Sequence, residues 1–235
     1  MTIALLLSEL KRSLVESAGT IVFGMEDGTV SIFGLIFGVA ATTTSSHAVL
    51  IAGAAGAAAA AVSMMAGAYL DAETSRDETK ANRASLQADP VPTAASVDVL
   101  LSNRQAAADG LTPQLSAALA GAVRNDPDAL KALVFALQAP SVVQQNPWEQ
   151  ALWMLVADFL SAAVPILPFV FFPIPQARLL SAVATTALLI ALGVGRARIA
   201  KRGTISTVIE TVSIGVAAAL AGVAISVLID RGFGG

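Results

Sequence analysis

Five stretches of this chain are apolar for long enough to cross a lipid bilayer, at about residues 21–46, 48–70, 151–172, 179–195 and 205–229. A hydrocarbon core about 30 Å thick takes roughly 20 apolar residues of helix, and only the fourth stretch runs near the lower limit of length. Lipid offers no hydrogen-bond partners, so a spanning segment has to satisfy its backbone N–H and C=O groups internally, as a helix or a closed barrel does. The expected fold class is therefore an all-α integral membrane protein with five transmembrane helices. Composition agrees. Of 235 residues 55% are hydrophobic and 13% charged, against roughly 25% charged in soluble domains, and the mean hydropathy is +0.73.

The spans divide the chain. Residues 1–19 read as an amphipathic helix with Ile3, Leu6, Leu7, Leu10 and Leu14 on one face, lying in the membrane interface. Its apolar core, residues 3–7, is too short for a cleaved signal peptide before Glu9, Lys11 and Arg12 intervene. Residues 20–70 hold the first two membrane helices, and residues 151–235 hold helices three to five with a short tail. Between them residues 71–150 form a polar segment, expected to be a cytoplasmic helical bundle. Thr112 before Pro113, Asp126 before Pro127 and Asn146 before Pro147 each set an N-cap residue ahead of proline at the first helical position. Trp148 and Trp153 suit an interfacial aromatic belt, and Pro165 and Pro168 are expected to kink the outer end of helix three. Short cytoplasmic loops are enriched in Lys and Arg. Lys11, Arg12, Arg76, Lys80, Arg83, Arg196, Arg198, Lys201 and Arg202 all fall on one side of the predicted topology, and His47 and Arg178 on the other. This puts the N-terminus in the cytoplasm and the C-terminus outside, with a bacterial inner membrane as the expected location.

At 100° per residue, helix one gathers Thr20, Gly24, Asp27, Gly28, Ser31, Gly34, Gly38 and Thr42 on one side, while Glu26 points away toward lipid or a neighbouring helix. Helix two gathers Gly53, Gly56, Ala60, Ser63, Met64, Gly67 and Asp71. Small residues at this spacing let helix backbones approach closely. A carboxylate inside a membrane helix costs at least ~2.5 kcal/mol on insertion scales, so it needs a reason to be there. Asp27 is read either as part of a polar path or as an interfacial group reaching headgroup water, Met64 either as a ligand or as core filler. Asp158 lies eleven residues past Pro147, about 16 Å into its helix, and Glu210 is close to the basic turn, where an ion pair with Arg198, Lys201 or Arg202 accounts for it. Glu26, Asp158 and Glu210 are kept as proton or ion relay candidates.

Several chemistries are excluded. There is no cysteine and one histidine, which removes disulfides, thiolate metal sites and zinc fingers. A net charge of -3 gives no basic footprint for nucleic acid. HExxH, GxSxG and P-loop motifs are all missing, and GVGRAR at residues 193–198 lacks the third glycine of a dinucleotide fingerprint. No enzyme activity and no cofactor are expected.

The segments DGTVSIFGLIFGVA (27–40), AVSMMAGAYLDAETSRDE (61–78) and NPWEQALWMLVADFLSAAVPILPF (146–169) resemble the vacuolar iron transporter family, and the likeness continues through GLTPQLSAALAGAVRNDPDAL (110–130) to helix five. The resemblance implies a homodimer of five-helix subunits in a lipid bilayer, moving Fe²⁺ and often Mn²⁺ out of the cytosol in exchange for protons along a path between two copies of helix one. It places Asp27 on the metal-path aspartate and Met64 on the methionine of helix two. The chain also departs from the pattern. Gly56 stands where a glutamate is common, Ala68 replaces the glutamate of a GEY motif, and the polar segment carries only Glu73, Glu78 and Glu149 as glutamates. Glu73, Asp77 and Glu78 remain as sparse metal candidates or as a solvated helix face. Two functional expectations follow: proton-coupled export of Fe²⁺ or Mn²⁺, or a transport-deficient relative acting as a structural or regulatory membrane module. A third keeps transport but changes the cargo, with Asp158 and Glu210 as the relay.

Overall fold

The computed structural model describes residues 3–88 and 146–233, with positions 114, 117, 118, 121, 126, 128 and 129 between them. Among the described residues all regular structure is helical: α1 (Ile3–Glu16), α2 (Ala18–Thr42), α3 (Ser46–Ala88), α4 (Pro147–Ile166), α5 (Pro168–Phe171), α6 (Ile174–Ile199) and α7 (Thr204–Phe233). Five of these, α2, α3, α4, α6 and α7, are long and apolar enough to cross a membrane. The chain divides into two compact units, one made of residues 1–72 and 145–235 and the other of residues 73–144. Most of the segment expected to form an inserted bundle, with the Thr112–Pro113 cap, lies outside the described residues. The Asp126 cap lies within them: its Oδ1 accepts from the N–H groups of Asp128 at 3.0 Å and Ala129 at 3.1 Å.

Helix ends follow local chemistry. The Asn146 side chain accepts from the Trp148 N–H at 3.2 Å with Pro147 at the first helical position, so α4 starts four residues before the apolar stretch does. It ends at Ile166, not near Phe172. Pro165 is tolerated inside the helix, but Pro168 has no N–H to continue the ladder and opens the separate short helix α5. The Pro165 carbonyl is taken by the Ser181 hydroxyl at 2.8 Å, the kind of side-chain replacement that makes broken helices tolerable in a membrane. The fourth span, expected to be short, is a 26-residue helix, because Ile174 to Arg178 and Arg196 to Ile199 extend it past the purely apolar core. It closes with Lys201 at φ 51° and the Arg202 N–H bonded to the Ala197 carbonyl at 3.0 Å, a Schellman turn that reverses the chain into α7.

Helix α2 is the centre of the membrane unit. A Cβ built on Gly24 would meet the Met154 sulfur at 2.8 Å, and one on Gly28 would meet the Asp158 carbonyl and, at 2.7 Å, the Ser161 hydroxyl. Further along, Gly34 sits against Ala218, and Gly38 against Gly222 and Ser226. Residue numbers rise together in both contacts, so α4 and α7 run parallel to α2 and flank it. The GxxxG spacing read from the sequence is thus used inside one chain. The apolar core lies at the C-terminal end of α2, where Ile32, Ile36 and Ala40 pack with Val49 and Ala57 of α3, Ala162 of α4, Phe169 of α5 and Ile174 and Ala177 of α6. At the other end Ser13 accepts a 2.7 Å hydrogen bond from the Trp153 indole, tying α1 to α4, and Leu7, Leu10 and Leu14 of α1 remain exposed as an apolar stripe.

Candidate functional site

The polar residues of the membrane unit gather around the N-terminal half of α2. Asp27 lies nine residues after Ala18, about 14 Å along the helix axis, so it is deeper than a group one turn from the interface. Its carboxylate is half-buried and hydrogen-bonded by the Ser31 side chain one turn on. The absence of side chains at Gly24 and Gly28 lets α4 approach, which brings Asp158 within electrostatic range of Asp27. Asp158 is 0% exposed, and neither of its carboxylate oxygens has a hydrogen-bond partner among the described residues. The Ser161 hydroxyl at the same place donates to the Asp158 backbone carbonyl at 2.9 Å, not to its carboxylate. Two neighbouring carboxylates with no cation between them repel in a medium of low dielectric, and a proton or a metal ion relieves that repulsion.

Glu26 has a different setting. The sequence projection turned it away from Asp27, toward lipid or another helix; another helix is what it meets. Its Oε1 accepts a 2.6 Å hydrogen bond from the Thr211 hydroxyl of α7 and lies 3.3 Å from Arg196 Nη1 of α6. Arg196 Nη2 lies 3.3 Å from Glu210 Oε1, and Arg202 Nη1 lies 3.5 Å from Glu210 Oε2. The ion pair expected between Glu210 and the basic turn thus forms with Arg202, and Arg196 joins it to Glu26. Sequence reading used Arg196 only as a topological marker. Its position three residues from the end of α6, level with the first turns of α2 and α7 in an antiparallel arrangement, was the available signal.

Glu26 and Asp27 share a cavity of about 350 Å³, bounded by Gly19, Val22, Phe23 and Val30 of α2, by Arg196, Ile199 and Ala200 at the end of α6 and by Ile214 of α7. The lining residues of α2 recur every three or four positions, which makes them one helical face with Glu26 near its middle and Asp27 at one edge. Pointing 100° apart does not separate two side chains when the space between helices is wide enough to admit both.

The remaining candidates are placed elsewhere. Met64 is half-buried on α3, with Ser63 exposed beside it. Gly56, where the resemblance leads to the expectation of a glutamate, faces Leu35 and Ile32 of α2. Glu73, Asp77 and Glu78 are exposed on the polar continuation of α3, and Asp77 pairs with Lys80 at 2.9 Å. Among the described residues no three of His, Asp and Glu come together as a metal cage. Comparison with known proteins adds two findings. The model of the VIT family matches residues 18–227 of the 235. No curated protein matches the chain.

Proposed function

The chain belongs to the VIT family, whose members move metal ions across membranes, and from that premise we propose that it exports divalent iron or manganese from the cytosol in exchange for protons. The observation that carries this reading is Asp158: a fully buried carboxylate, unpartnered among the described residues, in the electrostatic field of a second carboxylate and midway along a helix long and apolar enough to span a membrane. A charged group there is a strong expense for a membrane helix unless a cation comes and goes.

In this reading the working form is a homodimer with Asp27 of each copy turned toward the path. Carboxylate oxygens suit a hard divalent ion, and the Met64 thioether adds a softer ligand that favours iron over manganese. When the metal leaves, the repulsion between Asp27 and Asp158 draws in a proton, and the next metal expels it. Metal and proton then compete for one place, which is the minimum that antiport requires. Asp158 takes the relay role, since Glu26 and Glu210 are already held by arginines. The basic residues Arg196, Arg198, Lys201 and Arg202 support a cytoplasmic position for that end of the bundle.

The deciding experiment is flux in proteoliposomes over Fe²⁺, Mn²⁺, Co²⁺ and Zn²⁺, with and without a pH gradient. Asp27→Asn is expected to abolish flux while the protein remains folded; full retained flux rejects the mechanism. The alternative, a transport-deficient member serving as a membrane module, draws on the replacement of the family glutamate by Gly56 against Leu35 and on the solvated setting of Glu73, Asp77 and Glu78. A folded wild-type chain that moves none of the four ions decides for that alternative.

A further inference from the structure

Among the described residues Arg196 is the only basic one bounding the cavity that holds Asp27, and it is shared between two carboxylates. Both of its contacts are single and 3.3 Å long, beyond the ~2.7–2.9 Å of a well-formed charge-assisted hydrogen bond. Glu26, by contrast, is fixed from the side by the 2.6 Å bond from Thr211, and its side chain is only 13% exposed. Glu210 meets Arg202 through its other oxygen at 3.5 Å. Each carboxylate thus has a partner besides Arg196, while the guanidinium is divided between two single 3.3 Å contacts. Four carboxylates (Glu26, Asp27, Asp158 and Glu210) stand against two guanidiniums (Arg196 and Arg202), an excess of two negative charges when all are ionised. One divalent ion balances that excess.

We infer that Arg196 is a tethered cation that occupies Glu26 while the cavity is empty, and that a divalent ion arriving between Glu26 and Asp27 displaces it onto Glu210. This rests on the transport reading above and adds a residue to it: Glu26 becomes a transient metal ligand, and Arg196 a positioning residue whose release reports that the ion has arrived. The link between α2 and α6 through Glu26 is broken in the same step, while the link between α6 and α7 through Glu210 tightens. Binding of the ion is thereby coupled to a change in which helices are tied at the cytoplasmic end of the path. No bond other than ion pairs and metal–oxygen contacts is made or broken, so the step balances without any further reactant.

The test exploits opposite signs. The full chain is reconstituted in liposomes with a Mn²⁺-sensitive dye inside, and the half-saturating Mn²⁺ concentration is measured separately from the maximal rate. Arg196→Gln removes the competitor for Glu26, so half-saturation is expected about fivefold lower, equivalent to ~1 kcal/mol at about 1.4 kcal/mol per tenfold. Glu210→Gln removes the group that receives Arg196, so half-saturation is expected about fivefold higher on the same scale. Arg196→Lys keeps the charge but not the two-armed reach of the guanidinium, and is expected between Arg196→Gln and wild type. Damage to packing would move all three variants in one direction. A common direction, or unchanged half-saturation in Arg196→Gln and Glu210→Gln while wild type transports Mn²⁺, overturns this inference alone. A wild-type chain that moves no divalent ion overturns it together with the transport reading. Should Arg196→Gln fail to fold, Glu210→Gln and Arg196→Lys still carry the opposed signs.

Discussion

Along the first half of α2 two sets of acidic side chains lie within a few residues of each other and are treated in opposite ways. Glu26, with Glu210, has two arginines and a threonine hydroxyl around it. Asp27, with Asp158, has a serine on the first carboxylate and nothing on the second among the described residues. Glu26 is only 13% exposed and Asp158 0%, so burial alone does not explain the difference. A buried ion pair with hydrogen-bonded partners is a structural answer to burying charge, whereas an unpaired buried carboxylate is destabilising and persists where something else is served. The contrast separates a part whose contacts join helices, Glu26 included until an arriving ion displaces Arg196, from a part left open to a mobile cation.

The sharpest way to break this contrast is to neutralise one member of each set without changing its shape. Asp158→Asn is expected to lower metal flux about a hundredfold, ~2.7 kcal/mol at about 1.36 kcal/mol per tenfold, while the thermal midpoint of the purified protein stays level or rises. Glu26→Gln is expected to lower the thermal midpoint, by about 1 kcal/mol in stability, because Arg196 and Thr211 keep a partner but lose its charge. Thermal unfolding in detergent beside the flux assay reads both. If Asp158→Asn destabilises as much as Glu26→Gln does, the two sets are alike and the distinction drawn here is wrong.

Which parts of this arrangement were legible in the sequence depended on how local their causes are. The five spans could be found because hydrophobicity over 20 or so residues is a property of the segment itself. The Asn146 and Asp126 caps could be read because the acceptor and its donors lie within three residues. The break at the outer end of helix three could be read from Pro168, but its size could not: the apolar run to about 172 hides that α4 stops at Ile166, where the Pro165 carbonyl is taken by the Ser181 hydroxyl from another helix. Projection gave the face of Gly24, Gly28, Gly34 and Gly38 correctly but not its partner. A stripe of small residues says that something comes close, and here it is α4 and α7 of the same chain. The union of Glu26 with Arg196, 170 positions later, has no sequence signal beyond two opposite charges at compatible depth.

A smaller perturbation acts on spacing and leaves every charge in place. At Gly28 an added methyl would meet the Asp158 carbonyl, an atom of backbone that cannot rotate away. Gly28→Ala therefore has to push α4 off α2, at about 1–3 kcal/mol for overpacking. The separation of Asp27 from Asp158 grows, while Glu26 of α2, Arg196 of α6 and Thr211 of α7, none of them on the displaced α4, keep their contacts. Flux is expected to fall with stability in this variant, although no ionisable group has changed. Gly67 is the control, since among the described residues nothing lies within 4 Å of a Cβ built there. Should Gly28→Ala and Gly67→Ala behave alike in thermal unfolding, close approach of α4 is not what holds the two aspartates together.

The finest cut removes one hydroxyl. Thr211 is 0% exposed, and its bond to Glu26 Oε1 is the shortest polar contact in the cluster at 2.6 Å. Valine has the same branched shape, so Thr211→Val removes the donor and leaves the packing of α7 against α2 nearly unchanged. The expected loss is about 1 kcal/mol of stability, the usual net value of one hydrogen bond. Glu26 would then be held by Arg196 alone, through a single 3.3 Å contact. If the hydroxyl is what keeps Glu26 in place while Arg196 leaves, Thr211→Val should also weaken Mn²⁺ half-saturation modestly, in the direction of Glu210→Gln and opposite to Arg196→Gln. A loss of stability with no change in half-saturation would mean that Thr211 only fastens the helices, and that Glu26 belongs wholly to the structural set.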